Sequence, residues 1–263
     1  MSDADMVISA LRTGFDGLAA VTGGLSDAEL AAPSAASEWD ISQVLSHLGS
    51  GAEISEAALR AALNGQPRPD MDFNRGVWAR WDAAGRRERA DGFLAANMSL
   101  TGLYESLPET ARQDLRIDLG FLPAPADVAA AGRFRLNELT LHSWDVRAAL
   151  DPAAALAPEA VPLLTPVTAA MLGFLGKPDA LGGTESVIEV VTTEPALRLA
   201  LHLGPAVSVS DDVPPQTDGT LSLPAEAWLR LVTGRLGEQY TPSSVTAAGA
   251  ADLGLLRKVF PGF

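Results

Sequence analysis

The chain has no cysteine among its 263 residues. That excludes disulfide cross-links, thiolate metal sites and a cysteine nucleophile carried by the protein itself. It also fits a reducing compartment. Histidine is scarce, so any imidazole chemistry falls to His47, His142 or His202. Positive charge is in deficit: 19 Lys+Arg stand against 33 Asp+Glu, a formal net charge of -14. Binding to nucleic acid needs basic patches that neutralise phosphates, and binding to an anionic membrane surface needs the same, so neither partner is expected. Long apolar runs are missing too. The stretch Val167 to Leu175 is among the longest, well short of the ~18 residues of a membrane span. The first residues, Met1-Ser2-Asp3-Ala4-Asp5, are acidic where a secretory signal is basic. A cytoplasmic protein is the expectation.

What is present is a large apolar fraction, 47% of the residues. That is enough to build one large or two medium cores. Apolar residues in the first half recur three and four apart, the helical spacing. Ile8, Leu11, Phe15 and Leu18 mark a first helix, capped by Asp3 or Asp5 and stopped at Gly23-Gly24. Asp40 caps a second, with Ile41, Val44, Leu45 and Leu48 on one face, ending near Asn64-Gly65. Pro67-Arg68-Pro69 reads as a loop. A third helix covers Arg86 to Ser106, and a fourth runs from Val128, with Asp127 as its cap, to Leu150. Four helices of this length predict an antiparallel bundle over residues 1–152.

After Asp151-Pro152 the pattern changes. A helix over Glu159 to Leu175 precedes β-branched and alternating segments at Ser186–Thr193, Leu197–Leu203, Ala206–Ser210 and Thr220–Leu223. Pro224 opens a helix that Gly234 stops, and a short helix from Ala251 to Val259 ends the pattern. Residues 153–263 therefore read as a second, α+β domain with a small, mostly antiparallel sheet. The whole chain reads as an α+β multidomain protein, a helical bundle followed by a small α/β domain.

The fourth helix carries Glu138 and His142 four residues apart, hence on one face about a turn from each other. His47 on the second helix can supply a third ligand from across a bundle. Two imidazoles and one carboxylate with open positions suit catalytic zinc or another divalent ion such as nickel or manganese. The bland alternatives are a surface hydrogen bond or ion pair for the Glu-His pair and an ordinary packed or exposed histidine at position 47. The leucines flanking these positions weigh against simple exposure, and a buried carboxylate needs a partner.

Two segments carry a resemblance. Glu38-Trp39-Asp40-Ile41-Ser42-Gln43-Val44-Leu45-Ser46-His47-Leu48 resembles the start of the second helix in DinB-like metalloenzymes. Arg135-Leu-Asn-Glu138-Leu-Thr-Leu-His142-Ser-Trp144-Asp145 resembles their R-x-x-E-x-x-x-H-x-W-D helix. Over its length the chain resembles the mycothiol-dependent maleylpyruvate isomerase family. The resemblance implies a DinB-like four-helix bundle, then a sterol-carrier-like domain. It implies His47, Glu138 and His142 as zinc ligands and mycothiol as the thiol cofactor. It further implies a catalytic arginine in the second domain, for which Arg235, following Gly234, is the candidate.

The neighbours of the ligands leave choices open. Arg135 is a candidate catalytic and cofactor-binding residue that orients a carboxylate, or else an ion-pair partner of a bundle acid. Asp145 is a candidate acceptor that fixes the His142 tautomer, or a helix-surface charge. Gly51, a turn beyond His47, is a candidate cofactor-binding position that leaves room above the metal. Trp39 and Trp144 read as packing anchors and His202 as structural. The expected partners are an electrophilic small molecule and a thiol, acting on a monomer. Three functions follow: isomerisation of a cis-enoyl acid, thiol S-transfer to other electrophiles, or metal and small-ligand binding without turnover.

Overall fold

The computed structural model describes residues 1–36 and 38–262; Phe263, where the expected second domain ends, lies outside the described residues. The chain divides into two compact units, Met1–Asp151 and Pro152–Phe263. It is mixed helix and sheet, as its pattern predicts.

In the first unit the long helices are α1 (Asp3–Thr22), α3 (Ile41–Leu63), α5 (Arg86–Glu105) and α7 (Val128–Leu150). Shorter helices lie between them: α2 (Asp27–Leu30), α4 (Met71–Ala83) and α6 (Glu109–Asp114), with a two-residue ribbon of β1 (Arg116–Ile117) and β2 (Ala126–Asp127) before α7. Local chemistry sets the starts. Asp40 Oδ1 accepts the Gln43 N–H at 2.8 Å, and Gln43 returns a bond to the Asp40 N–H. This reciprocal cap satisfies two otherwise orphaned donors. Asp127 caps α7 through the Ala130 N–H. The first helix differs from expectation: Ser2, not Asp3 or Asp5, is its cap. Asp5 takes the reciprocal position three residues on and bonds back to the Ser2 N–H at 2.9 Å. The short hydroxyl reaches the exposed N–H groups from outside the helix, where Asp3 already lies inside it.

The interior of this unit is apolar, with Phe15, Leu18, Leu45, Leu48, Phe93 and Trp144 essentially inaccessible. Helix α4 is the one long element that the apolar pattern misses. It is amphipathic only at Val77 and Trp81, the two residues it buries. Trp81 fills a notch between α3 and α5. A Cβ at Gly49 would stand 2.1 Å from its ring, and one at Gly92 would stand 2.9 Å from it.

The second unit begins with α8 (Val161–Leu175). Strands β3 (Ser186–Thr193), β4 (Leu197–Leu203), β5 (Ser208–Ser210), β6 (Gly219–Pro224) and β7 (Thr246–Gly249) form one sheet in the order β5-β4-β3-β6-β7. Every pairing is antiparallel except β3 with β6. Helix α9 (Ala225–Val232) follows β6 directly, and α10 (Leu253–Val259) follows β7. Alternation puts Ile188, Val190, Leu221 and Leu223 into a core with Leu172, Trp228, Leu231, Leu256 and Phe260. Gly234 takes φ +75 just past α9, the left-handed turn that ends a helix. Among the described residues no helix is long and apolar enough to cross a membrane.

Candidate metal centre

The bundle brings together three residues that lie up to 95 positions apart in sequence, His47 on α3 and Glu138 and His142 on α7. One ligand atom from each lies within 4.8 Å of the others. His47 Nε2 and Glu138 Oε2 are 2.9 Å apart. His142 Nε2 is 3.8 Å from the same oxygen. Tetrahedral ligands about 2.0–2.1 Å from zinc stand roughly 3.3 Å from one another, so these separations bracket what an ion needs. The His47 and Glu138 side chains are 38% and 43% exposed, so the cluster opens to solvent on one side, while His142 is the most enclosed at 15%.

Asp145 fixes one ring. It is 1% exposed, and its Oδ2 lies 2.8 Å from His142 Nδ1. An ionised carboxylate only accepts, so Nδ1 carries a proton, and Nε2, the nitrogen that faces Glu138, is the one left to act as a ligand. The carboxyl of Glu138 feels opposed influences. Burial pushes it up, but the His47 hydrogen bond and the nearby charges of His142, His47 and Arg135 outweigh that and hold it at about 2. It is an anion at any physiological pH, the form a metal ion binds. The donor set thus fits a divalent cation: two imidazoles, one ionised carboxylate, and a side open to solvent.

Arg135 lies one turn before Glu138 and is only 5% exposed. Its Nη2 donates to the Leu48 carbonyl and to Asn97 Oδ1, both at 2.7 Å. Burial draws its pKa down to about 10, which leaves it charged at neutral pH. Gly51 makes room for this guanidinium: a Cβ there would stand 3.0 Å from Arg135 Nη1. Trp144 is buried at 1%, as a packing anchor should be. Trp39 is 36% exposed, and its indole lies 5.2 Å from the His47 ring and 5.8 Å from the His142 ring. Its loop is tied to α7 by the Ala35 N–H, which donates to the Asp145 carbonyl at 3.0 Å. Neither that ring contact nor Asn97 was signalled in the sequence. Trp39 sits in a loop without periodicity, and Asn97 gains its role only through packing.

Arg235 belongs to the second unit. It follows Gly234, is partly buried, and donates from Nη1 to the Thr233 carbonyl at 3.1 Å. His202 sits on β4 within 3.2 Å of Ser210 Oγ on β5, a cross-strand polar pair.

Two solved structures, a mycothiol-dependent maleylpyruvate isomerase and a histidine-to-alanine mutant of that enzyme, each align over 95% of this chain and 94% of theirs. The TM-score is 0.65 and the identity 14% in both cases, a likeness of fold. No curated protein matches the sequence. The family model described as the mycothiol maleylpyruvate isomerase N-terminal domain matches residues 11–147, just over half of the chain and the stretch that contains His47, Glu138 and His142. The chain therefore belongs to the mycothiol-dependent maleylpyruvate isomerase family.

Proposed function

We propose that this protein is a thiol-dependent metalloenzyme that isomerises maleylpyruvate or a similar cis-enoyl acid, with mycothiol as the thiol. The observation that carries the reading is the His47–Glu138–His142 cluster inside a chain of this family. His47, Glu138 and His142 would hold a divalent ion, zinc in the first instance. Such an ion, when bound with open positions, lowers the pKa of a coordinated thiol so that a thiolate is at hand near neutral pH.

The residues of the chain define the rest. With no cysteine in the sequence, the thiol has to come from a separate molecule. Asp145 keeps the His142 proton on Nδ1 and so keeps Nε2 free to act as a ligand. Glu138 contributes one negative charge without needing to lose a proton first. Arg235 is the candidate for holding substrate carboxylates, while Arg135, buried beside Gly51, contributes positive charge near Glu138. Thiolate addition to the conjugated double bond leaves a single bond free to rotate. The electron pair displaced onto the conjugated carbonyl then returns, expels the same thiolate and restores the double bond in the trans geometry, with no net change in protons.

The test is conversion of maleylpyruvate to fumarylpyruvate by the protein as isolated, with and without mycothiol. The expected result is conversion that requires the thiol and is lost in His142→Ala. Thiol-dependent consumption of other electrophiles without isomerisation would replace this reading by S-transfer. A protein that binds metal yet turns over no electrophile would be a binding protein.

A further inference from the structure

Arg135 is buried and feels the charge of Glu138, yet among the described residues no carboxylate lies within ion-pair distance of it. Its Nε has no hydrogen-bond partner at all. A buried cation without a direct ion pair is costly, and an apolar side chain of the same size would pack there at less cost.

Its geometry is specific. Arg135 Nη2 bonds to the carbonyl of Leu48, the residue after His47, and to Oδ1 of Asn97 on α5. Asn97 is 2% exposed and sends its own Nδ2 to the same Leu48 carbonyl at 3.4 Å and to the Phe93 carbonyl at 3.0 Å. One polar network thereby joins three helices at one level of the bundle. On α3 it grips the turn that carries His47, and on α7 it starts one turn from Glu138. Gly51 supplies the notch in α3 that lets the guanidinium approach. Metal–ligand distances tolerate only about ±0.2 Å, whereas a slip of one residue along a helix is ~1.5 Å. Apolar packing alone resists such sliding weakly; hydrogen bonds to a named carbonyl do not permit it.

We infer that Arg135 and Asn97 are positioning residues of the metal centre, setting the axial register of α3 against α7 so that His47 and Glu138 meet. This rests on the metal reading above. The sign of one substitution separates it from plain electrostatics: removing a positive charge beside a cation site should tighten metal binding, whereas losing the register should loosen it.

The experiment measures zinc affinity by competition with a chromophoric chelator, the visible spectrum of the cobalt-substituted protein, and thermal unfolding. The variants are Asn97→Leu, Arg135→Met and Arg135→Lys. Leu59→Ala is the comparator, a buried site far along the same helix α3. Asn97→Leu and Arg135→Met should bind zinc about tenfold more weakly or worse, the usual effect of removing partners behind a ligand, and should change the cobalt spectrum. Arg135→Lys, which keeps charge but loses the fork, should fall between them and wild type, and it serves if the others fail to fold. Leu59→Ala should lose thermal stability and keep wild-type affinity and spectrum. Wild-type affinity and spectrum in Asn97→Leu, or tighter zinc in Arg135→Met, would overturn the inference. So would an equal loss in Leu59→Ala. A wild-type protein that takes up no zinc would instead overturn the metal reading beneath it.

Discussion

At the scale of single residues, the contact between His142 and Asp145 is the most consequential one outside the three ligand positions. Asp145 is buried, so it was not free to be a surface charge. Asn in its place keeps the shape but can present its amide nitrogen to Nδ1 and favour the wrong tautomer. We expect Asp145→Asn to weaken zinc binding about 10- to 100-fold, measured by chelator competition. Acid stability is set elsewhere, in part by Asp5. The Ser2 N–H and then the Arg112 guanidinium, 2.6 Å away, hold its carboxyl at about 2 against an ordinary 3.8. A carboxyl lowered in this way stabilises the fold wherever it would be ionised in the unfolded chain, and that contribution fades as the pH falls through its folded value. Its window therefore runs from 3.8 down to about 2. Asp5→Asn should flatten the stability loss across that window in urea titrations at stepped pH. An unchanged acid limb would mean that other carboxyls govern it.

At the scale of elements, the four long helices were legible because each buries a stripe at helical spacing and three of them begin or end at visible caps or breakers. The candidate ligand cluster was legible for a related reason: a four-residue spacing puts Glu138 and His142 on one face whatever the tertiary fold. Helix α4 was not legible, since two buried side chains in 13 residues give little periodic signal. Its start is nevertheless set locally: Asp70 accepts the Phe73 N–H directly after the proline loop. Strand β7 escaped for the same reason, being exposed at every position with no alternation. Asn97 could not be read because its partners come from two other helices. The packing of α4 makes its own forecast. Gly49→Ala would drive a methyl into the Trp81 ring, and no flexible chain end is there to yield. We expect a loss of about 1–3 kcal/mol in urea unfolding. A loss of less than a few tenths would show that α4 is only loosely docked.

At the scale of the whole molecule, the net charge of -14 disfavours polyanion partners, and the family match agrees with a small-molecule role. All three candidate ligands, with Asp145, Arg135 and Asn97, lie in the unit Met1–Asp151, while Arg235 lies in Pro152–Phe263. Metal binding and turnover should therefore separate. A fragment ending at Asp151 is expected to retain zinc and to lose isomerase activity, and Arg235→Ala in the full chain is expected to retain zinc and lose most turnover. Elemental analysis alongside the isomerase assay checks both.

The central claim is that His47, Glu138 and His142 hold one metal ion. Its most direct test is the metal content of the protein purified without chelator and then reconstituted with zinc, for wild type, His47→Ala and Glu138→Gln. The account predicts about one equivalent per chain in wild type and little in either variant, with helical circular dichroism preserved. Metal-free wild type after reconstitution, or one equivalent still bound in both variants, would contradict it.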